Sequence, residues 1–126
     1  MKIYTGYFAQ IKKYQAAGLT PISIARWTPK WFDGETFTAI APSVDLLNKY
    51  KNGLVSVSDY TVRYNADLAE LDRTQSLKTL VDAAVNGRDV VFCCYEKIGD
   101  FCHRNLFADY MNKTYGYDIT EFPIGG

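Results

Sequence analysis

The chain is sparing with the residues that most often announce a mechanism or a compartment. It holds three cysteines, one histidine and two tryptophans in 126 residues. An odd, small number of cysteines does not make a disulfide framework. Two of them, Cys93 and Cys94, are adjacent and on a strand would point to opposite faces. A reducing, cytoplasmic setting follows as the expectation. No apolar run approaches the ~20 residues of a membrane span, and Met1-Lys2-Ile3-Tyr4-Thr5-Gly6 runs straight into folded-domain pattern, so neither a membrane partner nor a signal peptide is expected. Charge of one sign is also missing: Lys+Arg and Asp+Glu are 14 each. That balance gives no global field toward nucleic acid, which is not expected as a partner, since a broad nucleic-acid face needs clustered Lys and Arg. It leaves room for a local basic pocket holding one small anion.

What is present is a globular composition, 48% hydrophobic and 15% aromatic with ten tyrosines. The length suits one domain, 1–126. Ile3-Tyr4-Thr5 is a short apolar start. Phe8 to Ala17 then reads as a helix closed by Gly18, and Pro21-Ile22-Ser23-Ile24-Ala25 as a second strand, together a βαβ unit. Arg26 to Ile40 is a long irregular segment with Trp27, Trp31 and Phe32, of a length that in a compact domain carries function or is pinned by its aromatics. Helices are predicted from Pro42-Ser43 to about Lys51 and from Ser58-Asp59 onward. A further helix follows Asp72-Arg73-Thr74-Gln75, which has the form of a capping box. Val90 to Tyr95 is a continuous apolar run, as in a strand covered on both faces. Asp100 is placed as the cap of a helix to about Tyr115, and Tyr117 to Phe122 as a last strand. The fold class expected is α/β, a small three-layer sandwich with a mostly parallel central sheet of about four strands.

Chemistry concentrates in Cys93-Cys94-Tyr95-Glu96-Lys97-Ile98-Gly99-Asp100-Phe101-Cys102-His103-Arg104. The stretch holds every cysteine and the one histidine at a strand-to-helix turn, where α/β proteins bind ligands. With parallel strands, one sheet edge gathers Thr5 and Tyr7, then Arg26 and Trp27, then Glu96, with Cys102, His103 and Arg104 at the next helix start. Free N–H groups there, the helix dipole and the Arg104 fork favour an anion and an activated thiol. The alternative is that Cys102 packs in the core while Arg104 pairs locally. Glu96, at a strand end, is the acid/base candidate, with pairing to Arg104 or Arg26 as its structural alternative. Cys102 and Cys94 are candidate nucleophiles. Trp27 or Trp31 can stack a ring, or pin the loop. Cysteine-phosphatase and rhodanese loops need a cysteine and arginine five apart, a spacing absent here. His103 as a base for Cys102 is disfavoured because adjacent helical residues point about 100° apart. The cysteine spacing is not C-x-x-C, and Cys93 and Cys94 cannot share one tetrahedral site, so no metal and no cofactor is expected.

The pattern Cys-Tyr-Glu-Lys-x-Gly-Asp-Phe-Cys-His-Arg-x-Leu-x-Ala over residues 94 to 108 resembles the uncharacterised family known as domain of unknown function 488, in its short phage and bacterial form. Lys2-Ile3-Tyr4-Thr5, Pro21-Ile22-Ser23-Ile24-Ala25 and Ala41-Pro42-Ser43 agree with it. Departures are Ile98, where many relatives have proline, and the extra Cys93. The resemblance implies an α/β fold and a site built around Cys94, Glu96, Cys102, His103 and Arg104, and no settled activity. The expected function is recognition of a phosphorylated or nucleotide-like small molecule, with enzymatic action on it through Glu96 and a thiol. Arg104, His103 and Arg26 would hold the anion, and Thr5, Tyr7 and Trp27 would line its site. Two readings compete: a binding protein that sequesters a nucleotide signal unchanged, and a nucleic-acid-processing accessory protein. A homo-oligomer is compatible with each.

Overall fold

The computed structural model describes residues 1–124. Its centre is a five-stranded, wholly parallel sheet in the order β3-β2-β4-β1-β5. The strands are β1 (Ile3–Tyr7), β2 (Thr20–Ser23), β3 (Glu35–Thr36), β4 (Val90–Cys94) and β5 (Thr120–Glu121). Five α-helices connect them: α1 (Ile11–Ala16), α2 (Val44–Lys51), α3 (Val57–Gln75), α4 (Leu77–Val85) and α5 (His103–Tyr115). The α/β class and parallel sheet match expectation. The additional strand is β3, two exposed residues inside the segment 26–40 that reads as irregular.

β4 is central because its sequence lets both faces be covered. All five of its residues are buried. Val90, Phe92 and Cys94 face the larger core, built with Leu46, Tyr64, Leu68, Val81, Phe107 and Met111 from α2 to α5. Val91 and Cys93 face a smaller core with Phe8, Tyr14 and Leu19 on the α1 side. The pleat thus separates Cys93 from Cys94, as alternation demands. Each fully buried large apolar side chain contributes about 1.5–3 kcal/mol, so these two cores fix the sheet and its edges. On the smaller side the fit is close. A Cβ on Gly6 would meet the Tyr14 ring at 2.5 Å, and the Tyr14 hydroxyl instead accepts the Tyr7 N–H at 2.9 Å.

β2 ends at Ser23 rather than Ala25, β5 is Thr120–Glu121 rather than 117–122, and α1 starts at Ile11 after a 3-10 turn at Phe8–Gln10; three further boundaries also differ from the sequence reading. Asp72 does not cap a helix. It lies within α3, its Oδ1 accepting the Leu77 N–H at 2.8 Å, while Ser76, at φ 62°, separates α3 from α4 and caps the latter through Thr79 N–H. β4 ends at Cys94. Most consequential, α5 starts later than Asp100 predicts. A turn closed by Asp100 N–H on the Lys97 carbonyl, with Gly99 at φ 94°, carries the chain to an N-cap at Cys102 in extended conformation.

β1 and β4 finish level, Tyr7 pairing with Cys94. From β1 the chain leaves over the α1 face toward β2, and from β4 over the opposite face through α5 toward β5. Adjacent strands whose connections diverge in this way make the crevice where open α/β sheets usually take ligands.

Candidate functional site

In this fold that crevice is filled. Arg104 lies there at 0% exposure. Its Nε and NH2 donate to the Glu121 carboxylate at 2.9 and 3.2 Å, and its NH1 donates to the Glu96 carbonyl at 2.6 Å and to Cys94 Sγ at 3.0 Å. The guanidinium lies 5.9 Å from the Tyr7 ring centre. Thr5, also buried, donates its hydroxyl to Glu121 at 2.7 Å. Thr5, Tyr7 and Arg104 therefore form, with Glu121, a closed network behind Cys94. The expected anion-holding role of Arg104 is replaced by internal pairing, because a guanidinium buried without counter-charge is too costly and Glu121 supplies one. Glu121 was not singled out from sequence. On a two-residue edge strand it carries no sequence signal for this role, since its partners meet it only through the sheet order.

The open cavity lies one strand over, between the loops after β2 and β4. It encloses about 220 Å³, and its lining includes Arg26, Trp27, Lys51, Cys94, Glu96 and His103. Arg26 is held by its own loop, Nε donating to the Pro42 carbonyl at 3.0 Å and NH2 to Ala41 at 3.3 Å; NH1 has no hydrogen-bond partner among the described residues. Trp27 is half-exposed (49%) with the Lys51 ammonium 5.6 Å from its ring, and its carbonyl accepts the Tyr95 hydroxyl at 2.8 Å. Trp31 is not part of this lining; it is exposed and meets Phe8 and Phe32 edge-on. A larger hollow, about 310 Å³, lies at the amino ends of β1 and β5 beside Lys2, Tyr117 and Asp118. It gathers no comparable set of reactive side chains, so the chemistry favours the carboxyl edge.

Behind the cavity wall, where Cys94 and His103 line it, these two meet Cys102. The atoms Cys94 Sγ, Cys102 Sγ and His103 Nδ1 all lie within 4.8 Å of one another. The two sulfurs are in direct contact as a disulfide pair, with Cα atoms 7.7 Å apart. Glu96 Oε2 stands 3.6 Å from Cys94 Sγ, and His103 Nδ1 3.9 Å from Cys102 Sγ. The helical-wheel objection to a Cys102–His103 approach fails because Cys102 is the N-cap, at φ −151° and ψ 144°, outside the helix. Cys93, on the opposite face, takes no part; the donors that meet, without C-x-x-C spacing, are Cys94, Cys102 and His103.

The histidine ring is oriented from behind. Nε2 lies 2.9 Å from the Ile24 carbonyl, and Tyr64 packs edge-on at 5.6 Å. A carbonyl only accepts, so Nε2 carries the hydrogen and Nδ1 presents its lone pair to the cysteines. Burial pushes the His103 pKa down to about 4, the nearby Arg104 and Arg26 charges adding to it against the Ile24 hydrogen bond, so the ring is neutral at pH 7. Burial pushes the Cys93 thiol up to about 12 despite Arg104, and it stays protonated and inert.

Among the described residues no helix is long and apolar enough to cross a membrane. The family model described as DUF488-N3a, the active DUF488-N3 subclade, matches residues 11–115. No curated protein and no solved structure matches the chain.

Proposed function

The chain belongs to the DUF488 family, in the subclade described as active, and we propose that its carboxyl-edge cavity binds a small phosphorylated or nucleotide-like molecule and acts on it with Glu96 as the acid/base group. The observation that carries this reading is the convergence of three separate segments, bringing Arg26 and Trp27, Lys51, and Glu96 to one opening. An aromatic face beside a guanidinium and an ammonium suits a ring bearing an anionic group. The cavity volume falls below the usual range for drug-sized ligands, so it takes the sugar or base with its phosphate and leaves further groups outside. Glu96 is exposed at the mouth, where it reaches a bound ligand without first breaking an ion pair. The family's description as active favours turnover over sequestration.

The test is titration of the purified chain with ribose 5-phosphate and nucleoside monophosphates, followed by tryptophan fluorescence and calorimetry. One-site binding that quenches Trp27 and weakens about tenfold or more in Arg26→Ala, about 1.4 kcal/mol, is the expected result. Turnover lost in Glu96→Gln with binding retained identifies the catalytic group. Recovery of bound ligand unchanged from wild type refutes the enzymatic part. Absence of binding across the panel, or equal binding by Arg26→Ala, refutes the site.

A further inference from the structure

The convergence of Cys94, Cys102 and His103 is not explained by small-molecule recognition. All three are buried, at 1%, 4% and 7% exposure, and buried sulfurs and an imidazole lone pair add little to the holding of a phosphate. We propose that these three residues form a binding site for a zinc ion, with the fourth coordination position open to the cavity. The inference does not depend on which small molecule the cavity takes.

Four observations support it. First, the donor set is the one zinc prefers. Two thiolates and one imidazole, with a fourth position left for water or substrate, is an arrangement of reactive rather than structural zinc sites. Second, the spacing fits. Zinc–sulfur bonds of about 2.3 Å and zinc–nitrogen bonds of about 2.0 Å in a tetrahedron place sulfur about 3.6 Å from nitrogen and the two sulfurs about 3.8 Å apart. The Cys102 Sγ to His103 Nδ1 distance is 3.9 Å, and all three atoms fall within 4.8 Å; the two sulfurs, bonded to each other here, separate to the zinc spacing once the disulfide is reduced. Third, the Cα atoms of Cys94 and Cys102 are 7.7 Å apart, beyond the roughly 4.4–6.8 Å that disulfides bridge without backbone movement. A metal between the sulfurs suits that backbone, needing only side-chain rotation. Fourth, the surrounding groups already hold the ligands in place. The Ile24 carbonyl fixes the histidine tautomer with Nδ1 free, and Arg104 NH1 donates to Cys94 Sγ at 3.0 Å, the kind of support that orients ligands and tunes a bound metal.

The charges balance as well. A thiol reductant first supplies two electrons and two protons to open the Cys94–Cys102 disulfide; zinc binding then releases one proton from each of the two thiols to solvent, two thiolates offset the divalent ion, and Arg104 keeps its own counter-charge in Glu121. Glu96, 3.6 Å from Cys94 Sγ on the cavity side, is placed to accept a hydrogen bond from a water in the fourth position. Cys93 takes no part, since it faces the opposite core.

The experiment uses the whole chain and the metal alone. Protein reduced and stripped with chelator is incubated with zinc, passed through gel filtration and assayed for metal. One zinc per chain is expected for wild type and for Cys93→Ser, and loss of tight zinc for Cys94→Ser and Cys102→Ser. Cobalt in place of zinc should give the visible bands of a tetrahedral site and thiolate charge-transfer absorption, which surface binding does not produce. Should either serine variant fail to fold, zinc protection of wild type decides: Cys94 and Cys102 become resistant to alkylation at one equivalent and are released by chelator. Uptake lost on gel filtration, cobalt spectra without thiolate absorption, or recovery of a Cys94–Cys102 disulfide that persists in reducing buffer would each overturn the proposal.

Discussion

Replacing Arg104 separates a residue that holds the fold from one that holds a ligand. Its guanidinium is fully buried and makes four contacts, two to Glu121, one to the Glu96 carbonyl and one to Cys94 Sγ. Arg104→Met leaves Glu121 without its counter-charge. Breaking a buried pair costs about 3–5 kcal/mol, and the lower end applies because the Glu121 side chain keeps 23% exposure and some hydration. The lost bond to the Glu96 carbonyl adds about 1 kcal/mol. The expected loss of about 4 kcal/mol lies below the 5–15 kcal/mol typical of whole domains, so the variant folds, with a melting temperature lower by on the order of 15 °C. Most of that loss belongs to the stranded carboxylate, so adding Glu121→Gln should restore about 2 kcal/mol, a coupling read from a double-mutant cycle in urea. Arg104→Lys should recover less than half, because one ammonium cannot reach Glu121, Glu96 and Cys94 together. A cycle with no coupling, or Arg104→Lys as stable as wild type while losing ligand, would refute the structural role and return Arg104 to the anion site.

Two further outcomes follow from groups away from the cavity. The Tyr64 hydroxyl donates to the Ile40 carbonyl at 2.6 Å with both residues almost fully buried, so Tyr64→Phe should cost about 1–3 kcal/mol by leaving that carbonyl unsatisfied; a melting temperature equal to wild type would show that another donor takes over. Asp72 is pushed up by burial, but hydrogen bonds from Tyr115, the Leu77 N–H and Tyr110 outweigh this and hold its carboxyl below the usual value. A depressed native pKa means the unfolded chain binds the proton more readily, so the contribution is fully present above about pH 4 and is lost as pH falls through the native value. Unfolding free energy measured from pH 6 to pH 2.5 should decline more steeply in wild type than in Asp72→Asn, and parallel curves would show that Asp72 contributes no acid sensitivity.

The elements that were legible in the sequence are those whose residues face one environment. β4 declares itself because five consecutive apolar residues are buried on both faces, and α2 because Ser43 caps it, accepting the Leu46 N–H. β3 was not legible: Glu35 and Thr36 are both exposed, and their pairing with β2 leaves no hydrophobic trace. The start of α5 was misplaced because Asp100 is a good cap by residue type, whereas the turn at Lys97–Asp100 uses it up and passes the cap to Cys102, whose side chain makes no capping bond. In the site, the meeting of Arg26, Trp27 and Glu96 could be read from parallel strand ends, and that of His103 from the helix start that follows. The withdrawal of Thr5, Tyr7 and Arg104 could not, because it depends on Glu121, more than 100 residues from Thr5 and paired with it only through the sheet order β4-β1-β5.

That withdrawal explains how one strand end serves two purposes. Cys94 closes β4 with Arg104 on one side and the cavity on the other. Toward Arg104 everything is paired: Glu121 takes the guanidinium, and Thr5 takes a remaining lone pair of Glu121. A fully satisfied network in a low-dielectric interior is rigid, since each broken bond would expose a buried polar atom, and among the described residues no buried side-chain nitrogen or oxygen lacks a partner. On the other side stand the Cys94–Cys102 disulfide, His103 Nδ1 at 3.9 Å from Cys102 Sγ, and the exposed carboxylate of Glu96. Rigid support behind is what the proposed site requires to hold its groups in place. The signature Cys-x-Glu and Cys-His-Arg meets at this strand end, with the arginine in the paired network and the other four residues beside it, where the proposed site would use them as its working face.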